Sequence, residues 1–291
     1  MMGVVIVTGA SSGFGAMTAQ ALVEAGHTVY AGMRGLSGRN VTSAADFEKL
    51  AQGARAVELD VSSQESVDAA VARVMSEAGR VDVVVHNAGH MTLGPAEAFT
   101  VEQVASIYDT NVLSTHRLNR AVLPVFRGQR DGLLVWVGST SARGGTPPYL
   151  GPYFAAKAAE DALAVSIAAE VSRFGIDSVI VVPGSFTSGT NHYAHAGTPD
   201  DAEVAGVYEA EYGEDVQKLL ARQAQESPAD ADPGEVAREI VRVVGLPKGQ
   251  RPFRLYVDPA QDGAEEIFRI GDRVRRDFYR NLGFGDLLKP V

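Results

Sequence analysis

Val4-Val5-Ile6-Val7-Thr8-Gly9-Ala10-Ser11-Ser12-Gly13-Phe14-Gly15 is a short apolar run that ends in three glycines spaced G-x-x-x-G-x-G. Four consecutive β-branched residues read as a strand covered on both faces, as in a parallel sheet. A helical stretch, 13–24, follows directly, so the glycines mark a strand-to-helix turn. Gly9 allows a tight turn as the strand ends. Gly13 and Gly15 let main chain come close to a ligand and to the sheet. A helix that starts here offers free N–H groups and a positive dipole end to an anion, and pyrophosphate is the natural guest. The glycine spacing alone is weak; strand before and helix after are the context it requires.

Outward from this turn the alternation repeats. Nearly continuous apolar runs at 4–7, 28–31, 56–59, 81–85, 133–137, 178–182 and 253–257 read as strands. Helical stretches at 13–24, 64–77, 101–126, 152–174 and 233–244 lie between them, and Val67, Val71 and Val74 share one helical face. Strand and helix in turn predict a doubly wound, Rossmann-like α/β sheet in a single domain, 1–291. No linker or internal repeat is visible. Residues 185–228 break the rhythm, with Glu203, Glu209, Glu211, Glu214 and Asp215 in a long polar stretch. A connection of this length is read as a lid over the substrate, and its acidity favours a sizeable or uncharged substrate over an anion. Residues 265–279 read as a final helix of mixed charge.

Composition narrows the function classes. The 291 residues are 45% hydrophobic and 21% charged, and the chain contains no cysteine. That excludes disulfides, thiolate metal sites and a cysteine nucleophile. A net charge of −10 argues against nucleic acid as a partner. No apolar run approaches the ~18 residues of a membrane span, and the start lacks the basic region of a signal peptide. A cytoplasmic protein without a membrane partner is expected.

In dinucleotide folds an acid at the end of the second strand binds the ribose 2′-hydroxyl. Here Met33 stands in that place and Arg34 follows. A cation with forked donors suits a 2′-phosphate, so NADP(H) is expected over NAD(H). Farther on, Tyr153 and Lys157 stand at i and i+4, on one face of a helix opened by Gly151-Pro152. An ammonium beside a phenol stabilises phenolate, which makes Tyr153 a general acid/base candidate. Ser139 lies just past the fifth strand, where open sheets carry their sites.

With these residues together the chain resembles the short-chain dehydrogenase/reductase family, in the branch with a Thr-Gly-x-x-x-Gly-x-Gly cofactor motif. The likeness runs over about residues 1–190. The family's Asn-Asn-Ala-Gly is His86-Asn87-Ala88-Gly89 here, its adenine-contacting pair is Asp60-Val61, and its helix asparagine is Asn111. Its serine, tyrosine and lysine are Ser139, Tyr153 and Lys157. Its Pro-Gly is Pro183-Gly184, followed by Phe186 and a hydroxyl at Ser188 or Thr187. The resemblance implies cofactor contacts from Gly9, Ser11, Ser12, Gly13, Phe14 and Gly15 in the first turn. Arg34, Asp60, Val61, Asn87, Ala88, Gly89, Pro183, Gly184, Phe186 and Ser188 would add to these, with Tyr153 and Lys157 also touching the cofactor. It implies hydride transfer between nicotinamide and a ketone, aldehyde or secondary alcohol. In that reaction Tyr153 moves the proton, Ser139 orients the oxygen, and Lys157 tunes the phenol. Asn111 holds a water in a relay to Lys157.

Two positions depart from the family pattern. His86 replaces the first asparagine and alters a polar partner near the cofactor. Ser12 stands where NADP-dependent members often carry a basic residue, so that preference rests on Arg34. His90 is expected at the active-site rim. Tyr149 competes for the catalytic role but has no lysine four residues on. His192 and His195, without a third ligand nearby, suit a polar substrate loop better than a metal site, and no metal is expected. Arg275-Arg276 reads as a solvated helix face. A homo-oligomer, dimer or tetramer, is expected through the helices at 101–126 and 152–174. Alternatives are a non-catalytic dinucleotide-binding redox sensor and an NAD-dependent alcohol dehydrogenase of the same family. An epimerase of the extended branch is disfavoured by the glycine spacing.

Overall fold

The computed structural model describes residues 2–186, 190 and 195–290. Seven parallel strands form one sheet: β1 (Val4–Val7), β2 (Thr28–Met33), β3 (Ala54–Glu58), β4 (Val83–His86), β5 (Gly132–Val137), β6 (Ile176–Pro183) and β7 (Arg254–Val257). Their order is β3-β2-β1-β4-β5-β6-β7. The chain winds outward from β1 to β3, returns, and winds the other way from β4. The switch point therefore lies between β1 and β4, and the first glycine turn sits above it. A doubly wound sheet binds its ligand in that crevice.

The apolar runs of the strands serve two cores. In β1, Val5 and Val7 join the core under α1 (Gly13–Glu24), α2 (Val41–Glu48) and α9 (Gly234–Gly245). Val4 and Ile6 point to the opposite face. That face is covered by α3 (Gln64–Ala78), α5 (Ser114–Gln129), α6 (Gly151–Ser172) and α10 (Ala264–Asn281). Side chains of a strand alternate between faces, and helices cover both, so every position of β1 is apolar and buried. Trp136 of β5 is fully enclosed and donates its indole N–H to Ser178 Oγ of β6 at 3.0 Å. Burying each such large side chain stabilises the fold by about 2 kcal/mol.

The helix expected over 101–126 is divided. Thr100 and Gln103 form a capping box that starts α4 (Val101–Tyr108). One wide π turn, Asp109–Leu113, then carries Asn111 before α5 begins. The described residues within 185–228 form two helices, α7 (Ala202–Tyr212) and α8 (Glu214–Glu226). The mostly polar makeup of that stretch hid them, and no described residue of α7 is buried. Among the described residues, no helix is long and apolar enough to cross a membrane.

Candidate active site

A cleft of about 640 Å³ opens along the carboxyl ends of the strands, from β3 on one side to β6 on the other. Its floor is the β1–α1 turn. Gly9 has φ +64, and a Cβ there would stand 2.9 Å from Ala88 Cα. Gly15 packs where any Cβ would strike Gly9 O and Asn87 Nδ2. No acidic residue sits in the first turn of α1, and no side chain caps it. The amino-end N–H groups and dipole therefore remain for an anionic group. At Gly13, φ is +55 and the space beyond its Cα is open.

This turn is tied to β4 by Thr8. Its Oγ1 accepts from the N–H of Asn87 at 3.0 Å and of Ala88 at 2.9 Å, and donates to Val85 O at 3.3 Å. Asn87 Nδ2 returns bonds to Thr8 O at 2.9 Å and Gly9 O at 3.3 Å. Two strand ends on either side of the switch point are thus locked at one height. At Gly89 a Cβ would stand a tight 3.0 Å from Asn111 Oδ1.

Arg34 is exposed at the rim, and Arg39, which the sequence reading did not single out, lines the cleft beside it. Glu58, next to Met33 in register, is the nearby acid of β3. Its carboxylate accepts from the N–H of Gly35 at 2.7 Å and of Leu36 at 2.8 Å, so it shapes the loop that carries Arg34. The rim is left cationic.

The catalytic candidates converge on the other end of the cleft. Ser139 follows β5, and its Oγ accepts from Ser141 N–H at 3.1 Å, which fixes the short turn there. Tyr153 and Lys157 stand one turn apart on α6, each only 6% exposed. Lys157 Nζ donates to Val137 O at 2.9 Å and to Glu160 Oε2 at 2.5 Å. Burial works against the ammonium, but the Glu160 carboxylate and Tyr153 outweigh it and hold the Lys157 pKa above its ordinary value. Glu160, three residues on, is thus a partner of the candidate lysine that the sequence reading passed over; its spacing on the helix was the available signal.

Asn111, 1% exposed, spends both amide N–H groups and one acceptor position of its amide oxygen locally. Nδ2 donates to His90 O and Ile107 O, both at 2.9 Å, and Oδ1 accepts from His90 N–H at 3.1 Å. The side chain therefore braces the loop after β4 that carries His90. His90 lines the cleft at its exposed mouth, and desolvation there and then the Arg34 charge lower its pKa. Phe14 and Phe186 meet edge to face, with centroids 5.5 Å apart, and form an apolar stretch of the wall.

The cleft gathers most of the expected cofactor contacts: Gly9, Ser11, Ser12, Gly13, Phe14, Arg34, Val61, Asn87, Ala88, Gly89, Pro183, Gly184 and Phe186. Gly15 lies behind the wall and acts through packing. Asp60 is not part of the lining either; its carboxylate accepts from Ser62 N–H at 3.0 Å. Ser188, Thr187 and His192 lie outside the described residues. Tyr149 is not part of the cleft lining, although its neighbour Leu150 is, and it meets Tyr208 edge to face at 6.4 Å.

His86 corrects an expectation. It does not face the cofactor side: its ring is buried, bonded through Nε2 to Asn119 Oδ1 of α5 at 2.9 Å, and packed on Trp136 at 4.5 Å. Burial, only partly opposed by that bond, lowers its pKa to about 4.

A family model described as short chain dehydrogenase matches residues 3–198. The chain is 32% identical over 256 residues to a 3-ketodihydrosphingosine reductase of Bacteroides thetaiotaomicron, covering 88% of each chain. A crystal structure of a short-chain dehydrogenase from Streptomyces avermitilis superposes with a TM-score of 0.75 at 28% identity, over 98% of each chain. An alcohol dehydrogenase from Thermococcus sibiricus, complexed with 5-hydroxy-NADP, superposes with a TM-score of 0.69 at 25% identity, over 89% of this chain and 97% of that one.

Proposed function

The chain belongs to the short-chain dehydrogenase/reductase family of oxidoreductases acting on CH–OH and C=O groups with a nicotinamide dinucleotide, and on that premise we propose that it is an NADP(H)-dependent enzyme reducing or forming a carbonyl on a lipophilic substrate. The observation that carries this reading is the buried Tyr153–Lys157 pair opening into the same cleft as the first glycine turn. The residues present suit the cofactor: glycines without Cβ line its floor, an uncapped helix start faces an anion, and Arg34 with Arg39 suits a 2′-phosphate. The NADP complex of the Thermococcus sibiricus neighbour supports the same preference. When bound, the cofactor supplies or accepts the hydride.

The chain's own residues supply position and field. The Tyr153 hydroxyl gives its proton to the carbonyl oxygen in reduction and takes it from the alcohol in oxidation. Ser139 Oγ donates to that oxygen as charge develops, an effect worth about 3 kcal/mol when the donor is pre-placed. Lys157, kept charged by Glu160, stabilises the Tyr153 phenolate. The Asn111 side chain is committed to His90 and Ile107, so a relay water at this position falls to the main-chain carbonyl of the π turn.

The substrate side is apolar. Met91, Leu150, Tyr153 and Phe154 form one cluster, and Leu93, Ala196 and Leu220 pack on it. Ala196 and Leu220 come from 185–228, which supports that segment as a lid. Phe186 and His195 of the same segment reach the cleft. A sizeable apolar carbonyl compound suits these walls, in keeping with the 3-ketodihydrosphingosine reductase among the relatives. The test is a panel of ketones of increasing chain length followed by NADPH absorbance, with NADH in parallel. Activity that rises with chain length and prefers NADPH is expected; short polar substrates turned over with NADH alone would sink the reading.

A further inference from the structure

A second cavity, of about 570 Å³, lies at the other end of the sheet from the catalytic cleft. The amino ends of β6 and β7, the last turns of α6 and one side of α10 enclose it. Seven basic side chains line it against two acidic ones, Asp177 and Asp272. That balance is anomalous in a protein with a net charge of −10.

Three of the basic groups are neutralised in place. Arg251 Nη1 bonds to Asp177 Oδ2 at 2.7 Å. Arg254 bonds to Asp161 at 2.5 Å and to Asp272 at 3.0 Å. Arg269 pairs with Glu265. Both acids of the wall are thereby engaged. Arg275, Arg276, Arg280 and Lys289 also line the cavity and form no ion pair among the described residues.

Arg275 is the most informative of these. It was expected on a solvated helix face, yet its Nε is buried without a hydrogen-bond partner. Its guanidinium lies over the Phe253 ring at 4.2 Å and 5.5 Å from the Tyr279 centroid. Those rings fix its plane but accept none of its in-plane N–H bonds. A buried donor left in this state is costly unless an acceptor arrives from outside.

We infer that this cavity is an anion site for a phosphorylated small molecule of nucleotide size. Guanidinium forks match phosphate oxygens in pairs, and four unneutralised cations suit a guest carrying several negative charges. The volume lies in the range of small-molecule sites, roughly 300–1,000 Å³, and far exceeds one phosphate. Phe253 and Tyr256 in the wall give an organic portion something to pack on.

Calorimetric titration of the full-length protein with ADP, and separately with inorganic pyrophosphate, tests the site. NADPH is held at saturation, and its fluorescence is followed to show that the cofactor cleft stays filled. ADP is expected to bind with a Kd below about 1 mM, and pyrophosphate roughly tenfold more weakly. The double substitution Arg275→Gln with Arg276→Gln weakens ADP roughly tenfold or more, with NADPH binding unchanged. Because Arg275 is half-buried, the exposed pair Arg276→Gln with Arg280→Gln is measured as well, with roughly fivefold weakening expected. Absence of saturable ADP binding up to about 5 mM overturns the inference. Equal affinity in wild type and both variants, or equal affinity for ADP and pyrophosphate, overturns it too.

Discussion

The two walls of the catalytic cleft are made differently. On the proposed cofactor wall the side chains of Thr8 and Asn87 tie the main chain of two strand ends together, and a Cβ at Gly9 or Gly15 would strike neighbouring backbone. The substrate wall is held by side chains that reach across from exposed helices. Tyr208 Oη donates to Glu97 at 2.7 Å, and Gln103 Nε2 donates to Thr198 O at 3.0 Å, both in the open. The first wall fixes what the site does. The second rests on exposed contacts, and on the proposed reading it decides what the site acts on.

The contrast predicts a large effect where the fixed wall meets the chemistry. Tyr153→Phe keeps the ring and its packing and removes only the proton donor. Turnover is expected to fall about 10³-fold or more, while NADPH affinity by fluorescence titration stays within about twofold. An active Phe variant would place proton transfer elsewhere.

The fixed wall also carries a stability signature. The unfolded chain protonates His86 below about 6.5, whereas the folded protein resists until about 4. The unfolded state therefore binds more protons in that window, and stability falls as pH drops through it. The loss amounts to about 3 kcal/mol between pH 7 and pH 4. In His86→Asn, urea midpoints are expected to lose that share of their pH dependence. An unchanged profile would show that His86 is not held neutral.

At the rim the effect is smaller, because Arg34 is exposed. Arg34→Ala is expected to weaken NADPH roughly tenfold to a hundredfold and NADH hardly at all. Parallel loss of both in titrations would remove the 2′-phosphate contact from the scheme. Behind the lysine, Glu160→Gln tests electrostatics rather than geometry. The carboxylate both holds Lys157 and opposes a second negative charge at Tyr153. With the charge gone and an amide oxygen in place, the phenolate becomes the ammonium's nearest counter-charge. The acidic limb of the kcat/KM profile for alcohol oxidation should move down by about one pH unit. A move upward would show that losing Glu160's hold on Lys157 outweighs the relief of its repulsion on the phenolate.

How far each wall was legible follows from the same difference. Glycine spacing and valine runs state local backbone geometry directly, so the β1–α1 turn and the sheet could be read from Val4 to Gly15 and repeated outward. Tyr153 and Lys157 were legible because a helix puts i and i+4 on one face. The π turn at Asn111 was not, since helix-forming residues run on through both sides of it. The His86 orientation depended on Asn119, thirty-three residues away. Arg39 reaches the cleft only through the path of a loop that Glu58 shapes. Helix α7 buries no residue, and α8 turns only a short stripe, Val216 and Leu220, inward, too little to stand out in so polar a stretch.

The smallest effect belongs to the cover itself, and it is the one that separates the walls most cleanly. Leu220 of α8 packs on the cluster of Met91, Leu150, Tyr153 and Phe154. Leu220→Ala removes apolar area from the substrate side and leaves every cofactor contact in place. The KM for a long-chain ketone should rise about fivefold, with kcat and NADPH affinity steady. A short ketone, which would not extend to that wall, should show no change. If kcat falls for both substrates, Leu220 is bracing Tyr153, and the cover belongs to the catalytic framework after all.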